Sequence, residues 1–455
     1  MLVFIFLHLE AQVRLPSIIG DHMVLQQNSF VNLWGWCDVG EKIKLKASWD
    51  STEYNAVGTV HANWSLKIRT PAAGGPHNIS ITGKNSITIN DILVGEVWLC
   101  SGQSNMEMSA WGLKQYDNDV LAATNKSIRF FHIPRATAAF PQDNMDAKWV
   151  VCNPEDMRRF SLAGYFFGQK LNSVLGVPVG LINSSWGGTP AEVWTPKEAI
   201  EKDAGIKKAA DNLKPVPWGP VSYSYAYNAM IYPIHNFSIA GALWYQGEAN
   251  VGAADTYGKL FVAMIESWRS AWNKELPFFF VQIAPFAGYG TDNINSVLLR
   301  EAQTKTLSLG NTGMIVTTDL VDNIKDIHPH QKKEVGLRLA NYALAQTYGK
   351  TGIPHKSPLY QRMKIEGDKI RIYFTDVGGG LVAHGNTLTE FYVAGDDQVF
   401  LPAIARIDGT TIVVYNSHIK RPVAVRFGFT NAAMPNLFSK AGLPVNSFRT
   451  DDWKN

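Results

Sequence analysis

Two textures of hydrophobic patterning alternate along the chain. Between residues 13 and 93, short runs such as Val31-Asn32-Leu33-Trp34-Gly35-Trp36, Lys42-Ile43-Lys44-Leu45-Lys46-Ala47 and Ser65-Leu66-Lys67-Ile68 alternate, or nearly alternate, apolar with polar positions, and glycines and prolines part them. A period of two puts the apolar side chains on one face, so this stretch predicts an all-β module built as a small sandwich of sheets. From Val94 the texture changes. Almost wholly apolar runs at 94–100, 127–132, 178–184, 238–245, 277–284 and 313–319 alternate with segments apolar at every third or fourth position, at Leu162–Leu175, Tyr257–Trp272, Leu298–Leu309 and Val335–Tyr348. Strands without a polar face, separated by amphipathic helices, predict a parallel sheet covered by helices on both sides.

Punctuation refines this picture. Asp255 or Thr256 is expected to cap the second of these helices and Gly349 to stop the last. Long excursions at 106–160 and 189–236 are expected to build a cleft over the strand ends. After Gly352 and Pro354 strand patterns return, for example Lys369-Ile370-Arg371-Ile372-Tyr373-Phe374 and Thr411-Ile412-Val413-Val414-Tyr415. The chain is thus expected to be α/β, with a catalytic-type domain at 94–350 between an N-terminal β module at 13–93 and a C-terminal one at 356–455. Residues 1–12 begin with nine residues that are apolar but for His8, and read as the remnant of a signal peptide or as a strand.

Composition narrows the classes. With 46% hydrophobic and 18% charged residues the chain is a packed globular protein rather than a disordered one. Its 42 basic and 39 acidic side chains leave a net charge of +3, too small an excess to imply nucleic acid or an anionic membrane as partner. No later apolar run reaches the length of a membrane span. The three cysteines, Cys37, Cys100 and Cys152, lie far apart, form no metal-like spacing and cannot complete a disulfide framework.

Candidate chemistry sits where apolar strands end in polar turns. Val97-Trp98-Leu99-Cys100 runs into Ser101-Gly102-Gln103-Ser104-Asn105, which contains no apolar side chain and places the Ser104 hydroxyl at the carboxyl edge of a sheet, where open α/β folds bind ligands. Ser104 is the candidate nucleophile, although the Gly-x-Ser-x-Gly signature is not met, since Met106 stands two residues on. Gly180-Leu181-Ile182-Asn183-Ser184-Ser185-Trp186-Gly187-Gly188 repeats the pattern, and its adjacent glycines leave amides uncovered for an oxyanion. A third strand ends in Gln246-Gly247-Glu248-Ala249-Asn250. Gln246 or Asn250 is then the side-chain donor of a three-donor hole with the amides of Ser104 and of Gly187 or Gly188.

The base is expected from Asp326-Ile327-His328-Pro329-His330, after the last strand. His328 suits the role because imidazole accepts and returns a proton near neutrality; His330 is the competitor. Asp326 is the first choice to orient it, with Asp319 and Asp322 as alternatives, and a serine–histidine dyad held by a backbone carbonyl is the remaining option. Gln103, Asn105, Glu107, Trp186, Glu248, Arg300 and Glu301 are expected around the same cleft. Acyl transfer by these groups requires no cofactor and no metal.

Taken jointly, Gly102-Gln103-Ser104-Asn105-Met106-Glu107, Asn183-Ser184-Ser185-Trp186-Gly187-Gly188-Thr189-Pro190, Trp244-Tyr245-Gln246-Gly247-Glu248-Ala249-Asn250 and Asp326-Ile327-His328-Pro329 resemble the blocks of the sialate O-acetylesterase family, within the SGNH hydrolases. Asp21-His22-Met23-Val24-Leu25-Gln26 resembles that family's N-terminal region. The resemblance implies a flavodoxin-like α/β/α core with accessory β modules, a serine esterase acting on O-acetylated carbohydrate, Ser104 as nucleophile, His328 as base and export from the cytoplasm. Many SGNH enzymes carry the acidic partner three residues before the histidine. Here that position is Lys325, so the family pattern does not assign the carboxylate. Acetyl xylan or another plant glycan is the alternative substrate to sialic acid, and a non-catalytic carbohydrate-binding protein is the alternative class. Lipase or thioesterase action would need an apolar trench, whereas 106–160 carries Lys114, Asp117, Asp119 and Asp143.

Overall fold

The strand Ser86–Gly102 is the axis around which the other elements gather. Its first half pairs antiparallel with Gly74–Thr82, and Leu93 to Gly95 pair parallel with Val24–Gln26. From Glu96 onward it pairs parallel with Val179–Ser185, and from Trp98 with Gly241–Tyr245 on its other side. The strand crosses position 93/94 without a break, so the N-terminal β unit and the α/β unit share it. The computed structural model describes residues 12–290 and 293–453; the apolar segment 1–11 lies outside the described residues.

The core sheet runs in the order Thr312–Ile315, Phe278–Val281, Gly241–Tyr245, Ser86–Gly102, Val179–Ser185, Ile128–His132, Trp149–Val151. All neighbours are parallel except the last pair. After Ile128–His132 the chain fills the place beside the axial strand with Val179–Ser185, then crosses to the opposite side for its next three strands. The winding therefore reverses beside Ser86–Gly102, and that reversal opens a crevice at its carboxyl end.

Both faces of the sheet are dry, as the apolar runs predict. Val97, Leu99, Phe278 and Phe280 join one core with Leu260, Phe261, Met264, Ile265 and Trp268 of the helix Ala254–Trp272. Trp98, Cys100, Phe279 and Val281 join the other, with side chains of the helices Leu162–Leu175 and Lys332–Gln346. One polar tie runs through this packing. Trp98 Nε1 donates to the Tyr348 hydroxyl (2.9 Å), which donates to the buried Glu96 (2.7 Å), and Glu96 also accepts from Gln26 and Gln27 of the N-terminal unit.

Element ends depart from expectation in places. The helix expected from Tyr257 starts at Ala254, and neither Asp255 nor Thr256 caps it, because the chain enters from the 3-10 turn Glu248–Ala253 and Ala253 offers no capping oxygen. Gly349 does stand at the close of the last helix, in the left-handed region (φ 64°), where the Lys350 N–H returns to the Leu344 carbonyl (2.9 Å). The strand Trp149–Val151 was not foreseen within the excursion 106–160.

Beyond residue 356, one four-stranded sheet is ordered Leu359–Glu366, Lys369–Thr375, Thr411–Tyr415, Ile404–Asp408, and a second is ordered Leu401–Pro402, Phe391–Ala394, Ala424–Phe427, Phe448–Arg449. Ile370, Ile372, Ile412 and Val414 from one share a core with Val393, Val425 and Phe427 from the other. Among the described residues no helix is long and apolar enough to cross a membrane.

Candidate active site

The axial strand ends in an elbow that only glycine permits. Gly102 has φ 138°, and a Cβ there would lie 2.2 Å from the Tyr245 carbonyl oxygen of the next strand. Gln103 pins the bend: its N–H donates to the Tyr245 carbonyl (3.0 Å), and its side-chain oxygen accepts from the N–H groups of Gly247 and Ala249. Ser104 then opens the single helical turn Ser104–Glu107 with its hydroxyl on the crevice.

Across the crevice, His328 Nε2 lies 2.8 Å from Ser104 Oγ, although 224 residues separate them. The loop carrying His328 leaves the edge strand Thr312–Ile315 and reaches back over two strands to the axis. Its shape is fixed by its own polar groups. Asp326 Oδ1 accepts from the His328 N–H (2.9 Å), Asp322 from the His330 N–H (3.1 Å), and Tyr116 Oη donates to the His330 carbonyl (2.6 Å). Burial, the neighbouring Lys332 and His330 push the His328 pKa below its ordinary value against the pull of Asp326, so the imidazole is neutral near pH 7. A neutral imidazole bonded to a serine hydroxyl can take its proton as the oxygen attacks an ester carbonyl.

The three candidate carboxylates separate clearly. Asp326 Oδ1 stands 3.7 Å from His328 Nδ1, a near approach without a hydrogen bond. Asp322 is turned to His330 Nδ1 (3.0 Å), and Asp319 is held by Arg338 in a two-pronged pair. Neither alternative can serve His328, because each is committed to another cation or ring.

The expected oxyanion donors need correction. Gln246 and Asn250 are buried behind the crevice wall. Gln246 Nε2 donates to the Thr189 carbonyl and to Asn250 Oδ1, while Asn250 Nδ2 donates to the buried Glu192 (2.9 Å). Gln246 spends both of its amide donors, and Asn250 one of its two, knitting the turn after Val179–Ser185 to the turn after Gly241–Tyr245. The Gly187 N–H is likewise taken, by Glu107 Oε2 (2.8 Å). Among the described residues the N–H groups of Ser104 and Gly188 have no protein acceptor, and both residues line the crevice.

That crevice encloses about 690 Å³, a size that suits one or two sugar rings. Gln103, Glu107 and Glu248 line it as expected, with Arg135, Lys214 and Trp218 in addition. Glu107 is clamped by Arg135 through two bonds (2.6 and 2.7 Å). Trp218 is 59% exposed at the mouth and lies so close over Gly188 that a Cβ there would meet its ring at 2.1 Å. Trp186 stands behind it, donating to the Trp218 carbonyl (3.0 Å), and Asn105 lies buried beneath Ser104.

Arg300 and Glu301 are elsewhere. Arg300 is buried and donates to the Thr430 carbonyl; Glu301 forms two bonds with Arg449 (3.0 Å each). Both fasten the C-terminal unit to the helix Asn295–Lys305, which sequence adjacency to a cleft loop did not disclose. Sequence reasoning also missed Arg135, Trp218 and Lys332. The stiff run Lys214-Pro215-Val216-Pro217-Trp218 carried a usable signal, whereas Lys332 in a polar run reads as a solvated residue and is in fact fully buried. Among the described residues no group of His, Cys, Asp or Glu side chains is arranged to hold a metal ion.

Comparison with known proteins agrees with this geometry. Residues 94–345 match the family described as carbohydrate esterase, sialic acid-specific acetylesterase. The sialate O-acetylesterase of Rattus norvegicus is 28% identical over 416 residues, covering 77% of this chain and 77% of its own, and that of Homo sapiens is 29% identical over 393 residues, covering 78% and 75%. The crystal structure of a carbohydrate acetylesterase from Xanthomonas citri superposes with a TM-score of 0.89 at 34% identity, covering 97% of this chain and all of that one. With the match spanning more than half of the chain, the protein belongs to the sialic acid-specific acetylesterase family of carbohydrate esterases.

Proposed function

We propose that this esterase removes O-acetyl groups from sugars through an acetyl-serine intermediate, with O-acetylated sialic acid as the substrate that its family and its mammalian relatives suggest. The observation that carries the reading is the 2.8 Å approach of His328 Nε2 to Ser104 Oγ at the reversal point of the sheet. His328 takes the Ser104 proton as Oγ bonds the acetyl carbon. The oxyanion lies toward the free N–H groups of Ser104 and Gly188. Collapse breaks the bond to the sugar oxygen, which leaves with the proton from His328. Water, deprotonated by His328 in its turn, attacks the acetyl-serine and releases acetate.

A second reading is an acetylated neutral plant glycan. It is favoured by the commitment of Arg135 to Glu107, which leaves Lys214 as the other cation of the lining to meet a sialate carboxylate. Acetate release from 9-O-acetyl sialic acid and from acetylated xylan, each with wild type and Ser104→Ala, tests both. Faster release from the sialic acid supports the first reading and faster release from xylan the second. Unchanged turnover by Ser104→Ala with either substrate overturns the serine mechanism.

Three assignments extend the proposal. Residues 94–350 act as the catalytic unit of SGNH type, supported by the sheet order and the reversal beside Ser104. Residues 13–93 and 356–455 act as accessory β units, supported for the latter by its own core. The protein works outside the cytoplasm, as its family resemblance suggests; fractionation of the producing cell tests this.

A further inference from the structure

A buried polar chain runs beneath Ser104 and has no part in the steps above. Lys332, the first residue of the helix Lys332–Gln346, is completely buried, and its ammonium donates to Asn105 Oδ1 at 2.6 Å and lies 4.9 Å from the Tyr245 ring centroid. Asn105 Nδ2 donates in turn to Glu248 Oε1 (2.6 Å) and to the carbonyl of Ile327 (3.1 Å). Asn105 follows Ser104 directly, and Ile327 directly precedes His328. One carboxamide therefore joins the segment carrying the hydroxyl to the segment carrying the imidazole.

The orientation of that carboxamide is dictated by its neighbours. The Ile327 carbonyl only accepts, so it requires the NH₂ on its side and leaves Oδ1 to receive the bond from Lys332 Nζ. Flipping Asn105 would set its oxygen against the Ile327 carbonyl oxygen and lose the bond from Lys332. The location of Lys332 is costly: burial, at the helix end where the backbone dipole repels cations, pulls its pKa down to about 7 against the charges of Glu248, Asp322 and Asp326. Glu248 is left with Oε2 unbonded. Groups so expensive to bury need a return, and the histidine supplies one. Among the described residues no carboxylate hydrogen-bonds to His328 Nδ1, so the ring is aimed through its backbone, and two bonds do this: Asp326 to the His328 N–H and Asn105 to the Ile327 carbonyl.

We propose that Lys332 is a positioning residue for the esterase reaction: it locks the Asn105 carboxamide so that Asn105 grips the Ile327 carbonyl and keeps His328 against Ser104, a task that a triad carboxylate performs elsewhere. The inference rests on the serine–histidine reading above. Lys332 does not touch the cleft, so its loss acts on kcat and leaves ground-state binding alone.

The test compares Lys332→Met with wild type and, because Glu248 lines the crevice, the double variant Glu248→Gln/Lys332→Met with Glu248→Gln, on a small aryl acetate and with Ser104→Ala as control. The double variant leaves no unpaired buried charge and serves if the single variant does not fold. The expected result is a kcat lower by about tenfold to a hundredfold, as for a misplacement of about 1 Å, with KM within about threefold and slower labelling of Ser104 by a serine-reactive phosphonate. A folded variant that keeps wild-type kcat, or that raises KM while kcat holds, overturns the role of Lys332. Full activity of Ser104→Ala overturns instead the serine mechanism on which it stands.

Discussion

Asp326 Oδ1 stops 3.7 Å short of His328 Nδ1 and bonds instead to the His328 backbone N–H at 2.9 Å. The carboxylate thus shapes the loop rather than the ring. Asp326→Asn keeps an oxygen for that N–H and is expected to lower kcat by about tenfold or less, where the corresponding change in a serine protease triad costs about 10⁴-fold. A kcat measurement on the purified variant decides; a loss of thousands would show that the carboxylate closes onto Nδ1 during turnover.

The pH profile follows from the surroundings of His328. Burial, Lys332 and His330 hold its pKa below the ordinary 6.5, with Asp326 opposing. As the proposed base, His328 works only when neutral. Activity is therefore retained as pH falls to 6.5 and is lost on passing through the lowered value, so kcat/KM for an aryl acetate should show its acid midpoint below 6.5. A midpoint above 6.5 would contradict this.

Asn250 is expected to matter for stability rather than for oxyanion binding. Asn250→Ala removes the amide partner of the buried Glu192, whose pKa burial already raises, and leaves Gln246 short of an acceptor. Chemical denaturation should record a loss of about 2–4 kcal/mol. Folded variant should keep kcat within about tenfold, whereas loss of an oxyanion donor typically costs about 10²–10³.

Trp218 offers an exposed ring at the mouth of the crevice, held over Gly188. Pyranose rings stack on such surfaces. Trp218→Ala should raise KM for an acetylated sugar about tenfold while changing KM for a small aryl acetate by less than about threefold, since about 1.4 kcal/mol of stacking is a factor of ten. Equal effects on both substrates would count against a sugar platform.

Glu301 reports on the docking of the C-terminal unit. Burial works to raise its pKa, but the bonds and charge of Arg449, with Lys305, overcome this and hold it below the ordinary value. A lowered folded pKa gives stability that is present above the unfolded value of about 4.3 and lost as pH falls through the folded one. Glu301→Gln should therefore cost about 1–3 kcal/mol at pH 7, with the difference shrinking below about pH 4, and should leave kcat unaltered. Denaturation curves at the two pH values test it.

Much of the fold was legible because apolar periodicity is a local signal. Six core strands, four helices and the return to strands after residue 356 all follow from runs in which each residue declares its own face. Local glycine and serine chemistry likewise marked the elbow at Gly102 to Ser104 and the histidine at 328. What the sequence could not settle was how polar side chains are shared. Asn250, Gln246, Arg300 and Glu301 have the chemistry of a site, yet buried polar groups bond to whatever partner the packing brings within reach, and apart from the neighbouring Gln246–Asn250 pair those partners lie tens to hundreds of residues away. The same reason hides Lys332, whose partner Asn105 is 227 residues distant. Residue order determined which strands could form and where their hydroxyl and imidazole would emerge. Only the tertiary structure decided which donors remain free to meet an oxyanion, because a hydrogen bond is spent by its nearest neighbour in space.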